Sequence, residues 1–141
     1  MTATHVMTML GLAQRDGREQ LPAPVFAYSV GTNDVVIRRV VAQLRDAGLV
    51  EVSRGAAGGV RLARTLEEIS LADVAEATET EAGLARYAPG CPSGDCSVAP
   101  HIADAVRRRA AEAEAALRDQ LATVTLASLV ADIHQRIEVP A

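Results

Sequence analysis

PAPVFAYSVGTNDVVIRRVVAQLRDAGLVEVSRGAAGGVRLA, residues 22–63, is the stretch that decides the fold. Its centre is Ser29-Val30-Gly31-Thr32-Asn33, which interrupts an apolar pattern. Gly31 can take the left-handed conformation that closes a first helix. Thr32 or Asn33 can cap the start of the next, with Asp34 favourable in its first turn. Beyond it, Val36, Ile37, Val40, Val41 and Leu44 recur at helical spacing, and Arg38, Arg39, Gln43, Arg45 and Asp46 fall between them. Gly48 ends that helix. Leu49 to Val52 alternates like a half-buried strand, Gly55 to Gly59 reads as a flexible turn, and Val60 to Ala63 returns as a second strand. Helix, tight turn, helix, two-stranded hairpin is the order of a winged helix-turn-helix. A helix of this size fits the DNA major groove, and a ribbon beside it reaches the backbone or the minor groove.

Working outward, Thr4 to Gln14 reads as a helix with Val6, Met9, Leu10 and Ala13 on one face. Residues 15–20 form a polar turn. Pro22 and Pro24 lead into a helix over Ala23–Val30, because proline is tolerated in a first turn. After a linker, Ser70-Leu71-Ala72-Asp73 has the pattern of a capping box. It opens a short helix to about Glu79, with Leu71, Val74 and Ala75 expected to be buried. Residues 80–96 have loop composition, with YAPGCPSGDC at the end. A long helix over about Ser97 to Ala122 carries Ile102, Val106, Ala110, Ala113, Leu117, Leu121 and Val124 as one apolar stripe. A final helix begins near Thr125, and residues 138–141 should fray.

The expected architecture is therefore mainly α with a small β wing: a winged helix-turn-helix plus a long C-terminal dimerisation helix. Residues 1–79 form the DNA-binding domain, 80–96 a cysteine-bearing loop and 97–137 the dimerisation helices. The long helix has more apolar surface than a small winged module covers, so a second copy of the chain is its expected partner. Two recognition helices about 34 Å apart would then read a two-fold symmetric, palindromic site on double-stranded DNA.

Composition narrows the classes. The formal net charge is −4, and all 14 basic residues are arginine. Six of them (Arg38, Arg39, Arg45, Arg54, Arg61, Arg64) stand against three carboxylates between Thr32 and Arg64, so the module is locally basic on an acidic body. That distribution suits DNA binding. No apolar run approaches the roughly 18 residues of a membrane span. The start lacks the charged region and cleavage site of a secretory signal, so no membrane association and a cytoplasmic location are expected. An enzyme is not expected: His5, His101 and His134 are scattered, and phosphate-loop, zinc-protease and nucleophile-elbow motifs are missing. With only Phe26, Tyr28 and Tyr87 as aromatics, stacking on single strands is not the expected mode. A winged domain used for protein contact alone remains the non-enzymatic rival.

SVGTNDVVIRRVVAQLRDAGLVEVSRGAAGGVRLAR, followed by EEISLADVAEA, resembles the Rrf2 family of bacterial transcriptional regulators. The resemblance runs from about Met7 to Ala77 and continues more loosely through the cysteine loop and long helix. It implies a homodimeric DNA-binding regulator, usually a repressor. Carried over, Arg38 and Arg39 lie on the recognition helix facing bases or phosphates. Arg54 leads the wing, Gly58, Gly59 and Arg61 belong to it, and Thr32 and Asn33 sit where a helix N-terminus meets a phosphate. The wing tip reads RGAAGG where the family often reads RGPGGG. That leaves the depth of its minor-groove approach open.

Some members of that family hold an iron–sulfur cluster through three cysteines in this loop. This chain has two cysteines, Cys91 and Cys96, with His101 five residues on. Three donors fall short of the four protein ligands a cluster normally needs unless another joins, such as His5 or an acid from the partner subunit, and a structural zinc site has the same deficit. No cofactor is therefore assigned. Three readings stand: cysteines without function, a reversible Cys91–Cys96 disulfide acting as a redox switch, and an iron–sulfur or metal sensor that also uses His101. A Gly/Pro loop of four intervening residues can bring two Cα atoms to the roughly 5.5 Å a disulfide needs.

Overall fold

The computed structural model describes residues 1–55, 58–78 and 97–138, and the side chains of all of these except residues 99, 100 and 138. The cysteine loop, with Cys91 and Cys96, lies outside the described residues, as do Ala56 and Ala57 of the wing tip and the last three residues. Among the described residues the order is α1 (Thr2–Arg15), α2 (Ala23–Val30), α3 (Asp34–Asp46), β1 (Val50–Val52), β2 (Val60–Leu62), α4 (Leu71–Thr78), α5 (Ala99–Ala122) and α6 (Leu126–Glu138). The chain divides into two compact units, one of residues 1–78 with 122–141 and one of residues 79–121.

The first unit is built around α1. Ala3, Val6, Met7, Leu10 and Ala13 form one buried face, and Thr8 and Gly11 are buried beside it, so more than half of the circumference is covered. The cause is its central place: it packs on α2, α3, α4, α6 and β2. Phe26 from α2, Ile37 and Leu44 from α3, Leu49, Val50 and Val60 from the wing, and Ile69 and Val74 complete the core.

The turn between α2 and α3 forms by local chemistry. Gly31 sits at φ 70° and ψ 37° and ends α2. The N–H of Thr32 donates to the carbonyl of Ala27 at 3.1 Å. Asn33, not Thr32, is the cap: its Oδ1 accepts the N–H of Val36 at 3.0 Å. Asn33→Ala is expected to destabilise the unit by about 1 kcal/mol in urea unfolding, with an unchanged denaturant slope.

The wing is a two-stranded antiparallel sheet with Val50 opposite Leu62, Glu51 opposite Arg61 and Val52 opposite Val60. Its outer strand has a second neighbour. Leu21, just before α2, exchanges both backbone hydrogen bonds with Val60, at 3.0 and 2.9 Å. Gly59 lies at this crossing, and a Cβ there would stand 2.9 Å from the Leu21 carbonyl oxygen. A Cβ on Gly58 would stand 2.5 Å from the Ser53 carbonyl oxygen. The glycine pair is therefore required by close backbone approach inside the wing.

The predicted capping box is formed. The N–H of Ser70 donates to Asp73 Oδ2 at 2.7 Å, and the N–H of Asp73 donates to Ser70 Oγ at 3.1 Å. On α4 the buried residues are Ala72 and Val74, while Leu71 and Ala75 are only half-buried, which corrects the expected face. The backbone N–H of Ser70, then its hydroxyl, with Arg64 adding a smaller attraction, hold the Asp73 carboxyl below the usual carboxylate range. A depressed native value means that this stabilisation is complete above the unfolded value of about 3.9. It is lost as pH falls through the lower native value. Urea midpoints measured from pH 5 downward should fall less steeply for Asp73→Asn than for the parent.

Helix α6 packs on α1, although the sequence groups it with the dimerisation helices. Leu126 and Val130 enter the core of the winged unit. Gly11 marks the contact: a Cβ there would stand 2.6 Å from Cγ2 of the buried Val130. The segment before α4 holds the start of α6 by backbone bonds, Leu126 N–H to Ile69 O at 2.7 Å and Ala127 N–H to Leu66 O at 3.0 Å. In the same place Leu71 N–H donates to Val124 O at 2.9 Å.

In the second unit the described residues are essentially α5. Ile102 to Leu121 of the predicted stripe lie on this helix, Val124 falls beyond its end, and Ile102 and Leu117 are 48% and 58% exposed. No described helix is long and apolar enough to cross a membrane.

Candidate nucleic-acid interface

Helix α3 has two sides with different duties. At about 100° per residue, the buried residues Ile37, Val41 and Leu44 make its inner line. The line facing directly away from the core carries Val35, Arg39, Ala42 and Asp46. Arg38 lies to one side of that line and Val36 to the other. Arg38 and Arg39 are both exposed and form no hydrogen bond or ion pair among the described residues. Desolvating three buried aliphatic side chains fixes which way the helix turns, and that leaves both guanidinium groups outward.

The six arginines of the basic module separate into two groups. Arg45 pairs with the neighbouring Asp46 at 2.7 Å. Arg61 is held across the hairpin by Glu51, with Nε donating to Oε2 at 2.8 Å. Arg64 donates to the backbone carbonyl of Glu68. Arg38, Arg39 and Arg54 stay uncommitted among the described residues and can neutralise phosphate or take base acceptors.

Each sequence-derived site residue can now be placed. Thr32 and Asn33 are at the N-terminal end of α3, with Asn33 Oδ1 used as the cap and the Thr32 hydroxyl uncommitted among the described residues. The hairpin leaves from the other end of α3: the N–H of Leu49 donates to the carbonyl of Leu44 at 2.9 Å. Arg54 is exposed near the wing tip. Gly58 and Gly59 sit in the wing's tight backbone, half-buried and buried, and Arg61 is in its ion pair. Cys91 and Cys96 lie outside the described residues. His101 is exposed on α5.

Two groups escaped the sequence reading. Ser53 is one: its Oγ accepts the N–H of Gly59 at 3.0 Å and lies 3.1 Å from Gln20 Oε1, so it ties the base of the wing beside Arg54. Its signal, a small hydroxyl before the tip, is too common to single out. Val35 is the other, and its exposure shows only once the helix is oriented.

The arrangement defines a winged helix-turn-helix, in which a capped helix presents unpaired arginines outward and a hairpin stands at its far end. The chain belongs to the Rrf2 family: the family model, described as an iron-dependent transcriptional regulator, matches residues 1–132. Among similar proteins, aau3 of Rhizobium meliloti is 35% identical over 81 residues, 57% of this chain and 53% of that protein. The HTH-type transcriptional regulator IscR of Cereibacter sphaeroides is 32% identical over 85 residues, 60% of this chain and 55% of that protein. The match thus spans about half the length of these curated relatives. A crystal structure from Lactobacillus plantarum is similar with a TM-score of 0.77 at 26% identity, covering 94% of this chain and 87% of that one.

Proposed function

We propose that this protein is a DNA-binding transcriptional regulator, a repressor by its resemblance, that acts in the cytoplasm as a homodimer on a palindromic operator. It works by occupying DNA, not by catalysis. The observation that carries the reading is the pair of outward arginines, unpaired among the described residues, on a helix whose opposite side is core. The family membership and Arg54 of the hairpin, uncommitted among the described residues, support it. The exposed Ile102 and Leu117 on α5 supply the apolar line along which a second copy would pack. Sedimentation at micromolar concentration, with fluorescence anisotropy on duplexes of the protein's own promoter region, tests it. A dimer that binds one duplex against excess unrelated DNA is expected. A monomer, or binding erased equally by any duplex, would overturn it.

The family description names iron, but this chain's donors do not fit a cluster. Two cysteines and His101 leave the set one short of four. The C-x4-C pattern favours a dithiol switch. Cys91 and Cys96 would give up two protons and two electrons to a small-molecule disulfide and form their own S–S bond. Oxidised glutathione should then remove two titratable thiols and change operator affinity in the parent but not in Cys91→Ser. Equal affinity before and after oxidation would leave the cysteines without this role.

A further inference from the structure

Val35 occupies an unfavourable place for a valine. It is in the first turn of α3, on the line pointing directly away from the core, and is 74% exposed. A β-branched residue is a weaker helix former than alanine, and exposure gives it no burial in return. Val36 beside it is also exposed. The helix interior obeys the usual apolar pattern, so the departure is confined to the end of the helix that, in helix-turn-helix proteins, meets base edges. Arg39 stands one turn further on the same line, and Arg38 flanks it. An apolar methyl pair framed by two guanidinium groups that are unpaired among the described residues matches one feature of the major groove. Thymine presents a C5-methyl there, and guanine presents the O6 and N7 acceptors that arginine takes.

We propose that Val35 is a specificity-determining residue that reads a thymine C5-methyl group in the major groove, next to the base contacted by Arg39. This rests on the reading of α3 as the recognition helix. The isopropyl group covers the methyl and removes both from water. Cytosine at the same position offers no methyl and a polar N4 instead, so it is disfavoured.

The test uses the full-length protein and a duplex selected from a randomised pool. Thymines of the selected duplex are replaced one at a time by deoxyuridine, which deletes the methyl and nothing else. The parent should lose about fourfold in affinity at one position of each half-site, the worth of one buried methyl-sized group. Val35→Ala should lose a similar factor on the unmodified duplex and show no further loss with deoxyuridine at that position. Val35→Thr, close in shape and keeping one methyl, should retain part of the penalty. A melting midpoint no lower than the parent's for these exposed-site variants shows that the fold is intact. Indifference of the parent to every deoxyuridine, or the same penalty in Val35→Ala as in the parent, would overturn the thymine assignment. If Arg38→Ala and Arg39→Ala also bind the selected duplex unchanged, or if no duplex is selected, the reading of α3 fails and takes this assignment with it.

Discussion

Arg39→Ala is expected to weaken operator binding by about 1–3 kcal/mol and to relax preference at one base position. The expectation follows from its place on the outward line of α3. When the helix lies in the groove, that line faces the floor, where two guanidinium donors can span guanine O6 and N7. Arg38 lies off the line and faces a groove wall, so its expected partner is phosphate. Arg38→Ala should weaken all sequences alike and flatten the log–log salt dependence by about one unit. Both side chains are exposed and make no hydrogen bond or ion pair among the described residues, so the melting curve should not move. Anisotropy titrations at three salt concentrations, on operator and scrambled duplexes, separate the two outcomes. Unchanged affinity and slope in both variants would remove α3 from the interface.

Leu126→Ala should destabilise the fold by about 2–5 kcal/mol, the range for removing a large aliphatic side chain from a packed core. Leu126 is completely buried in the unit built by α1. Its neighbourhood cannot readily close over the gap, because the backbone of residues 126 and 127 is bonded to Ile69 and Leu66. Urea unfolding followed by circular dichroism measures the loss. A change under 1 kcal/mol would mean that α6 is not part of this core. Leu117→Ala, on the exposed line of α5, is the contrasting case: it should shift the self-association constant far more than the unfolding midpoint at high protein concentration.

The parts of this fold that depend on neighbours in sequence were legible without coordinates. Helix α2 begins and ends where Pro22, Pro24 and Gly31 require, and the Ser70–Asp73 box closes as its spacing predicts. The parts that depend on distant neighbours were not. Nothing around Leu21 announces that it will pair with Val60, since a backbone bridge leaves no side-chain signature. For that reason Gly58 and Gly59 read as a flexible turn near DNA, when their lack of a side chain answers a crowding within the wing. The Arg61 ion pair depends on hairpin register, which sets Glu51 opposite it. An amphipathic pattern shows that α6 has an apolar face but not what covers it, so the sequence alone groups it with α5 rather than α1. In the interface, residue type marked Arg38 and Arg39, and orientation was needed to tell one role from the other.

The bridge between Leu21 and Val60 makes the two legs of the wing unequal. One leg is stitched on both edges and the other on one, so bending motions of the hairpin should concentrate above Gly59, around Arg54. A tip exchanged for a longer or shorter loop would leave the stitching beneath it in place. Reach toward DNA could thus be retuned by changing the loop length alone, with the body of the protein unaltered.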